Sequence, residues 1–285
     1  MLTRKSVVLA KIEANYGVDP TPTPIANALL VSDVDVKPAG EMVQRNYMKS
    51  SLSQLPFVRG IRSVDVSFKT ELKGTGTRGV LPAYGWEGVL FRACGMSEVV
   101  NAATSIIWAP VSTALESVTL YVYKDGVFHK ILGCVGSFKL LVEVGKYVVV
   151  EWTFRGLYAA PVDATPAAQT FSAVQPPVVL NAGFTLGAYA AILEKVEIDI
   201  NNAIGMRRSM NASTGVLGFS VVGREPQGSC DPEAVTEATY AFWNKRETAA
   251  VAAMNIGPLG ATSGNIITIA APKVQEREVG YGDRE

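Results

Sequence analysis

The clearest signal in this chain is an alternation of apolar and polar side chains over residues 63–73, SVDVSFKTELK. Val64, Val66, Phe68 and Leu72 fall on one side. Asp65, Ser67, Lys69, Glu71 and Lys73 fall on the other. Successive side chains of a strand point to opposite faces, so the segment predicts a strand with one apolar face and one wet, charged face. The pattern returns in residues 148–156 (VVVEWTFRG), in 196–200 (VEIDI) and, less cleanly, in 217–224. Such strands are building material for a β structure rather than a catalytic framework.

Turn chemistry extends the strand pattern. Residues 117–124 predict a strand, and Asp125-Gly126 is a strong hairpin signal leading into residues 127–132. Residues 137–144 and 147–156 form a second predicted hairpin across Gly145-Lys146. Residues 249–256 and 265–270 are apolar enough for closing strands, and 28–37 alternate weakly, as a short strand does. Strands at this density predict a mainly β chain, an antiparallel sandwich or barrel with one or two flanking helices and long loops.

The first helix is predicted over residues 82–93. Pro82 suits the first helical position, Trp86, Val89, Leu90 and Ala93 share a side, and Gly95 suits the end. The second is predicted over 231–245, with Asp231 as cap, Pro232 behind it, Glu233 in the first turn and a stripe of Val235, Ala238 and Phe242. Residues 16–24 (YGVDPTPTP) and 161–177 (PVDATPAAQTFSAVQPP) are proline-rich and extended. Residues 74–79 (GTGTRG) and 201–214 read as loops, and 273–285 as a charged, exposed tail. The division that follows is an irregular arm and loop region over 1–60 and a β domain over 61–285. That domain carries a loop insertion near 157–190 and a helix near 231–246.

Composition narrows the function. The chain has 285 residues, 48% of them hydrophobic, ample for a sizeable core. Its formal net charge of zero lacks the basic surplus that an electrostatic nucleic-acid binder needs. Arg4 and Lys5 precede an apolar run over residues 7–10 that is shorter than a secretory core segment. No stretch is long enough for a transmembrane helix. Cys94, Cys134 and Cys230 are odd in number and far apart, which reads as buried thiols rather than a disulfide framework.

Catalytic and cofactor readings find little support. Gly74, Gly76 and Gly79 fit G-x-G-x-x-G, but a dinucleotide site needs parallel strands buried on both faces, and the strand before this loop is two-faced. His129, the one histidine that a Ser-His-Asp or Cys-His site would need, lies mid-strand in VFHKIL and reads as an exposed strand residue. Cys94, His129, Cys134 and Cys230 lack any C-x-x-C pair for zinc. Glu197 and Asp199 share a strand face as an acid/base pair would, and equally as a solvated face would. The expectation is no enzyme, no metal and no cofactor.

The order of pieces resembles the major tail tube proteins of long-tailed bacteriophages. The matching stretches are residues 9–36 (LAKIEANYGVDPTPTPIANALLVSDVDV), 64–98 (VDVSFKTELKGTGTRGVLPAYGWEGVLFRACGMSE), 117–163 and 264–285. The resemblance implies a structural subunit of which six form a ring. Rings stack into a hollow tube that conducts the genome, within the virion tail and after assembly in the host cytoplasm. It implies self-contacts, tail tip, terminator and tape-measure proteins as partners, DNA in transit without specific binding, and no membrane. Members continue past a GDR-type turn, here residues 282–284, into a further strand. A secretion-system tube protein or a β-barrel ligand-binding module are the alternatives.

Within that resemblance the wet strand faces supply candidate channel-lining residues: Asp65, Glu71, Glu151, Glu197 and Asp199. The proline-rich arm and the loops supply candidate inter-subunit residues. They are Tyr16, Pro20, Pro22 and Pro24, then Thr75 and Arg78, then Pro161, Pro166 and Pro176.

Overall fold

The alternation does become sheet. The computed structural model describes residues 6–166 and 168–281; Arg4, Lys5 and the GDR turn lie outside them. In chain order the elements begin with β1 (Ser6–Ile12), a helical turn α1 (Pro24–Asn27), β2 (Ala28–Leu29), β3 (Ser32–Val43) and β4 (Val58–Glu71). Helix α2 (Gly88–Ala93) and the hairpin β5 (Met96–Asn101) and β6 (Ser105–Pro110) follow. Next comes the meander β7 (Val118–Lys124), β8 (Val127–Glu143) and β9 (Val149–Leu157). Then come β10 (Val162–Asp163), β11 (Phe184–Leu186), β12 (Tyr189–Ala190), β13 (Lys195–Asp199), β14 (Asn202–Arg208), β15 (Val216–Arg224) and β16 (Gln227–Cys230). Helix α3 (Phe242–Glu247), β17 (Val251–Leu259) and β18 (Ile267–Gln275) close the chain.

The chain is mainly β, its sheets are antiparallel and open, and no barrel closes among the described residues. The main sheet runs β2-β1-β7-β8-β9-β4-β3, with β13 and β16 continuing from the second half of β8. Strand β8 is therefore shared. Its first half pairs with β7 and its second half with β13, while β9 runs along the other side. The two predicted strands at 127–132 and 137–144 are this one strand, bent where its register against β9 shifts between Leu132 and Val135. Gly133 sits at the bend with φ +59, a conformation that suits glycine.

The core lies between the apolar faces. Val64, Val66, Phe68, Phe138, Leu140, Val150, Trp152 and Val196 meet Val8, Val118, Leu120 and Val122, with α2 inserted between. Phe91 of α2 stands edge-on to Phe138 and to Trp152, both at 4.9 Å between centroids. The Trp152 indole N–H donates to Thr70 Oγ1 at 2.9 Å. A smaller sheet, β12-β11-β17-β18, adds Phe184, Leu186, Ile256 and Leu259 to the same core.

Several expectations are corrected. Residues 1–60 are not irregular throughout: β1 pairs along its whole length with β7 and buries Val8, Leu9 and Ala10 on both faces. Residues 201–214 contain β14, hydrogen-bonded to β15. The helix over 82–93 begins only at Gly88, because Gly85 packs directly on the backbone of Asn27 and Ala28. The helix over 231–246 reduces to α3. Asp231 Oδ1 instead accepts the backbone N–H groups of Glu194 and Lys195, and the Glu233 N–H donates to Ile192 O. Lys73 is buried rather than wet, its ammonium 3.7 Å from Glu71 Oε2.

Candidate functional site

Register assembles one charged face. Lys69 of β4 lies opposite Glu151 of β9, Glu151 opposite Lys139 of β8, and Lys139 opposite Asp199 of β13. Charge alternates along this row of four strands. Directly opposed residues share a face, and so do alternate residues within a strand. Asp65, Glu71, Glu151, Glu197 and Asp199 therefore stand on one face of one sheet, opposite the face that buries Phe68, Trp152 and Leu140. Sequence reasoning named these five separately; the pairing brings them together.

The cations on this face are engaged. Lys69 Nζ lies 3.0 Å from Glu151 Oε1 and 3.5 Å from Asp33 Oδ2. Lys139 and Lys195 both pair with Glu197. Arg155 forks onto Asp65, with Nε 2.8 Å from Oδ1 and Nη2 3.2 Å from Oδ2, a strong geometry for guanidinium and carboxylate. The lysines hold the Glu197 carboxyl below its usual range, Glu151 raises the Lys69 ammonium, and Asp65 raises the Arg155 guanidinium. Asp199 Oδ1 accepts the Asn201 N–H at 2.7 Å and shapes the turn into β14.

One end of the face is covered. There the outward positions become apolar: Ile61, Val135 and Leu157. The β14–β15 hairpin lays Val216 and Phe219 on them. Asn202 anchors the hairpin by donating from Nδ2 to Cys94 O at 2.7 Å and Gly136 O at 2.9 Å. Beside the hairpin a shallow depression of about 440 Å³ is lined by Lys37, Asp65, Thr153, Arg155 and Asn202. The alternation of Ile204 and Met206 was the sequence signal for this cover, masked by surrounding Asn, Gly, Ser and Arg.

The candidate inter-subunit residues make more contacts within their own chain than the composition of their segments suggests. Tyr16 is clamped: its hydroxyl donates to Gly133 O at 2.9 Å and accepts the Phe219 N–H at 2.7 Å. Burial pushes that hydroxyl up to about 12. Pro22 is buried, Pro20 O accepts Lys11 Nζ, and Pro24 opens α1 while its carbonyl accepts the Thr170 N–H. In the glycine loop the Gly74 N–H donates to Asn265 Oδ1 and the Gly76 N–H to Gly264 O, and Thr75 O accepts from Tyr84. Arg78 is exposed. Near Pro161, β10 pairs with β8; Pro161 is exposed, while Pro166 and Pro176 are half-buried. The physical reason is common to all three segments: their backbone carbonyls and amides need partners, and distant parts of the same chain supply them.

A segment that the sequence reading passed over is the most exposed. Residues 44–57 form a loop at the tip of the β3–β4 hairpin, where Val58–Arg62 of β4 have β3 as their strand partner and have left β9. Tyr47, Met48, Leu52 and Phe57 stand in solvent there, Met48 and Leu52 completely. Large apolar side chains in a polar stretch without periodicity were the available signal.

The chemical candidates are placed apart from any such site. His129 lies opposite Val122 in β8, half-buried, and burial lowers its imidazole. Cys94 and Cys134 are buried, and Cys230 is exposed. Among the described residues no His, Cys, Asp or Glu cluster has the geometry of a metal site.

Comparison with known proteins gives one result. No curated protein matches the chain. A family model described as phage tail tube protein matches residues 3–281. The match spans nearly the whole length of a mainly β, antiparallel chain, and the chain belongs to this structural family of virion tail proteins.

Proposed function

We propose that six copies of this chain close into a ring, that rings stack into a hollow tube conducting the genome, and that the charged face lines the channel. The observation that carries the reading is the register that sets Asp65, Glu71, Glu151, Glu197 and Asp199 on one face opposite the core, which the β14–β15 hairpin covers at one end. A wall rich in carboxylates keeps a water layer and repels a passing polyanion.

The sheet edges support ring closure. Strand β3 ends the main sheet on one side and β16 ends its continuation on the other. Two open edges at opposite ends of one sheet suit head-to-tail contacts, which close into a ring when the rotation allows. The exposed loop at 44–57 suits contact between rings. Tail tip, terminator and tape-measure proteins would meet the tube at its ends or inside it, after assembly in the host cytoplasm. A ligand-binding module would need an enclosed apolar pocket, whereas the depression beside Asn202 is open and mixes Lys37, Asp65 and Arg155 with Phe154 and Ile204.

Cryo-electron microscopy of the purified protein at high concentration tests this. Rings or tubes with the face of Glu151 turned to the axis are the expected result. A persistent folded monomer across salt conditions would overturn assembly, and the same face on the outer surface would overturn the channel assignment.

A further inference from the structure

We infer that Glu151 and Glu197 are built-in counterions: they occupy Lys69, Lys139 and Lys195 so that none of these ammonium groups is offered to a phosphate. The inference rests on the channel reading for its purpose and on the ion pairs for its chemistry. The three lysine side chains are 34–50% exposed, within reach of a solute. Each would otherwise be a phosphate contact that adds salt-dependent affinity. Held beside a carboxylate, a lysine must break one ion pair to make another, and the net gain from DNA vanishes.

The same geometry explains why the lysines are present at all. Like charges directly opposed across strands are destabilising. Glu151 stands between Lys69 and Lys139 in the row, and Lys139 stands between Glu151 and Asp199. Cations at these positions let carboxylates crowd one face without facing each other, and the carboxylates hide the cations. Stability is not the purpose: exposed pairs of this kind contribute about 0–1 kcal/mol each, so neutralising them leaves a folded protein to measure.

The test is the double variant Glu151→Gln/Glu197→Gln, titrated against a fluorescently labelled DNA duplex by anisotropy over a range of salt. The parent should show no salt-dependent binding. The variant should bind, with a log K against log salt slope steeper by about 2, near 0.9 for each of Lys139 and Lys195, while Lys69 keeps Asp33 Oδ2 at 3.5 Å. Adding Lys69→Gln, Lys139→Gln and Lys195→Gln should abolish the gain. A folded double variant that binds no better than the parent overturns the inference. If the double variant does not fold, Glu197→Gln alone frees Lys139 and Lys195 and is judged by the same criterion. The channel reading is judged separately, from where the face sits in the tube; a face on the outside overturns that reading and leaves the anisotropy result standing.

Discussion

The carboxylate of Glu13 accepts the backbone N–H of Gly133 at 2.7 Å, across 120 residues of chain. The same carboxylate accepts from Ser117 Oγ, Thr119 Oγ1 and the Gly17 N–H, so a buried charge is fully hydrogen-bonded. Tyr16 takes the carbonyl of Gly133. Two side chains of the N-terminal segment thus hold both backbone groups of the residue at which β8 bends from one strand neighbour to the next.

Glu13→Ala should therefore be among the most damaging single changes, costing about 3–5 kcal/mol, because four donors lose a charged acceptor in the interior. Gly133→Ala should cost about 1–3 kcal/mol, since φ is +59 and a Cβ would sit 2.6 Å from the Tyr16 ring. Denaturant unfolding of soluble subunits measures both; a loss below about 1 kcal/mol for Glu13→Ala would mean that the clamp is dispensable.

The indole of Trp152 combines core volume with its bond to Thr70. Trp152→Ala should cost about 3–5 kcal/mol as a cavity opens beside Phe91 and Phe138. Thr70→Val keeps the shape and leaves the indole N–H unpaired, at about 1–3 kcal/mol. Thermal melts of the two variants give the comparison, and Thr70→Val should be the milder one.

Glu87 makes stability depend on pH. Burial pushes its carboxyl up from 4.5 to about 7, so the folded state favours the protonated form. Its contribution is full below the unfolded value and is lost as pH rises through about 7, on the order of 3 kcal/mol for such a shift. The melting temperature should fall between about pH 4.5 and pH 7, and Glu87→Gln should flatten that fall. An unchanged pH profile in Glu87→Gln would exclude this carboxyl as the cause.

The loop over residues 44–57 offers a separation of folding from assembly. Met48→Ser and Leu52→Ser change fully exposed side chains, so unfolding should shift by no more than about 0.5 kcal/mol. Sedimentation velocity and negative-stain microscopy should show a loss of stacked rings. Tubes of normal length from the double variant would place the stacking contact elsewhere.

What the sequence determined by itself is local. Side-chain alternation decided which residues of β4 and β9 face the core, because a strand alternates whatever its neighbours are. Asp125 and Gly126 decided the β7–β8 turn, where both take positive φ, 45 and 96. Gly95, at φ +75, ended α2 where predicted. What only the tertiary structure decided is which distant groups meet. Asp231 and Glu233 carry helix-start chemistry, yet the carboxylate of one and the N–H of the other are used by residues 192–195, and the helix is not made. The short apolar run in β1 reveals nothing of its pairing with β7, a hundred residues on. The charged face depends on register between β4, β9, β8 and β13; a slip of one residue would turn its carboxylates into the core. Local pattern names the face of each strand, but only long-range pairing sets Lys69, Glu151, Lys139 and Asp199 in one row.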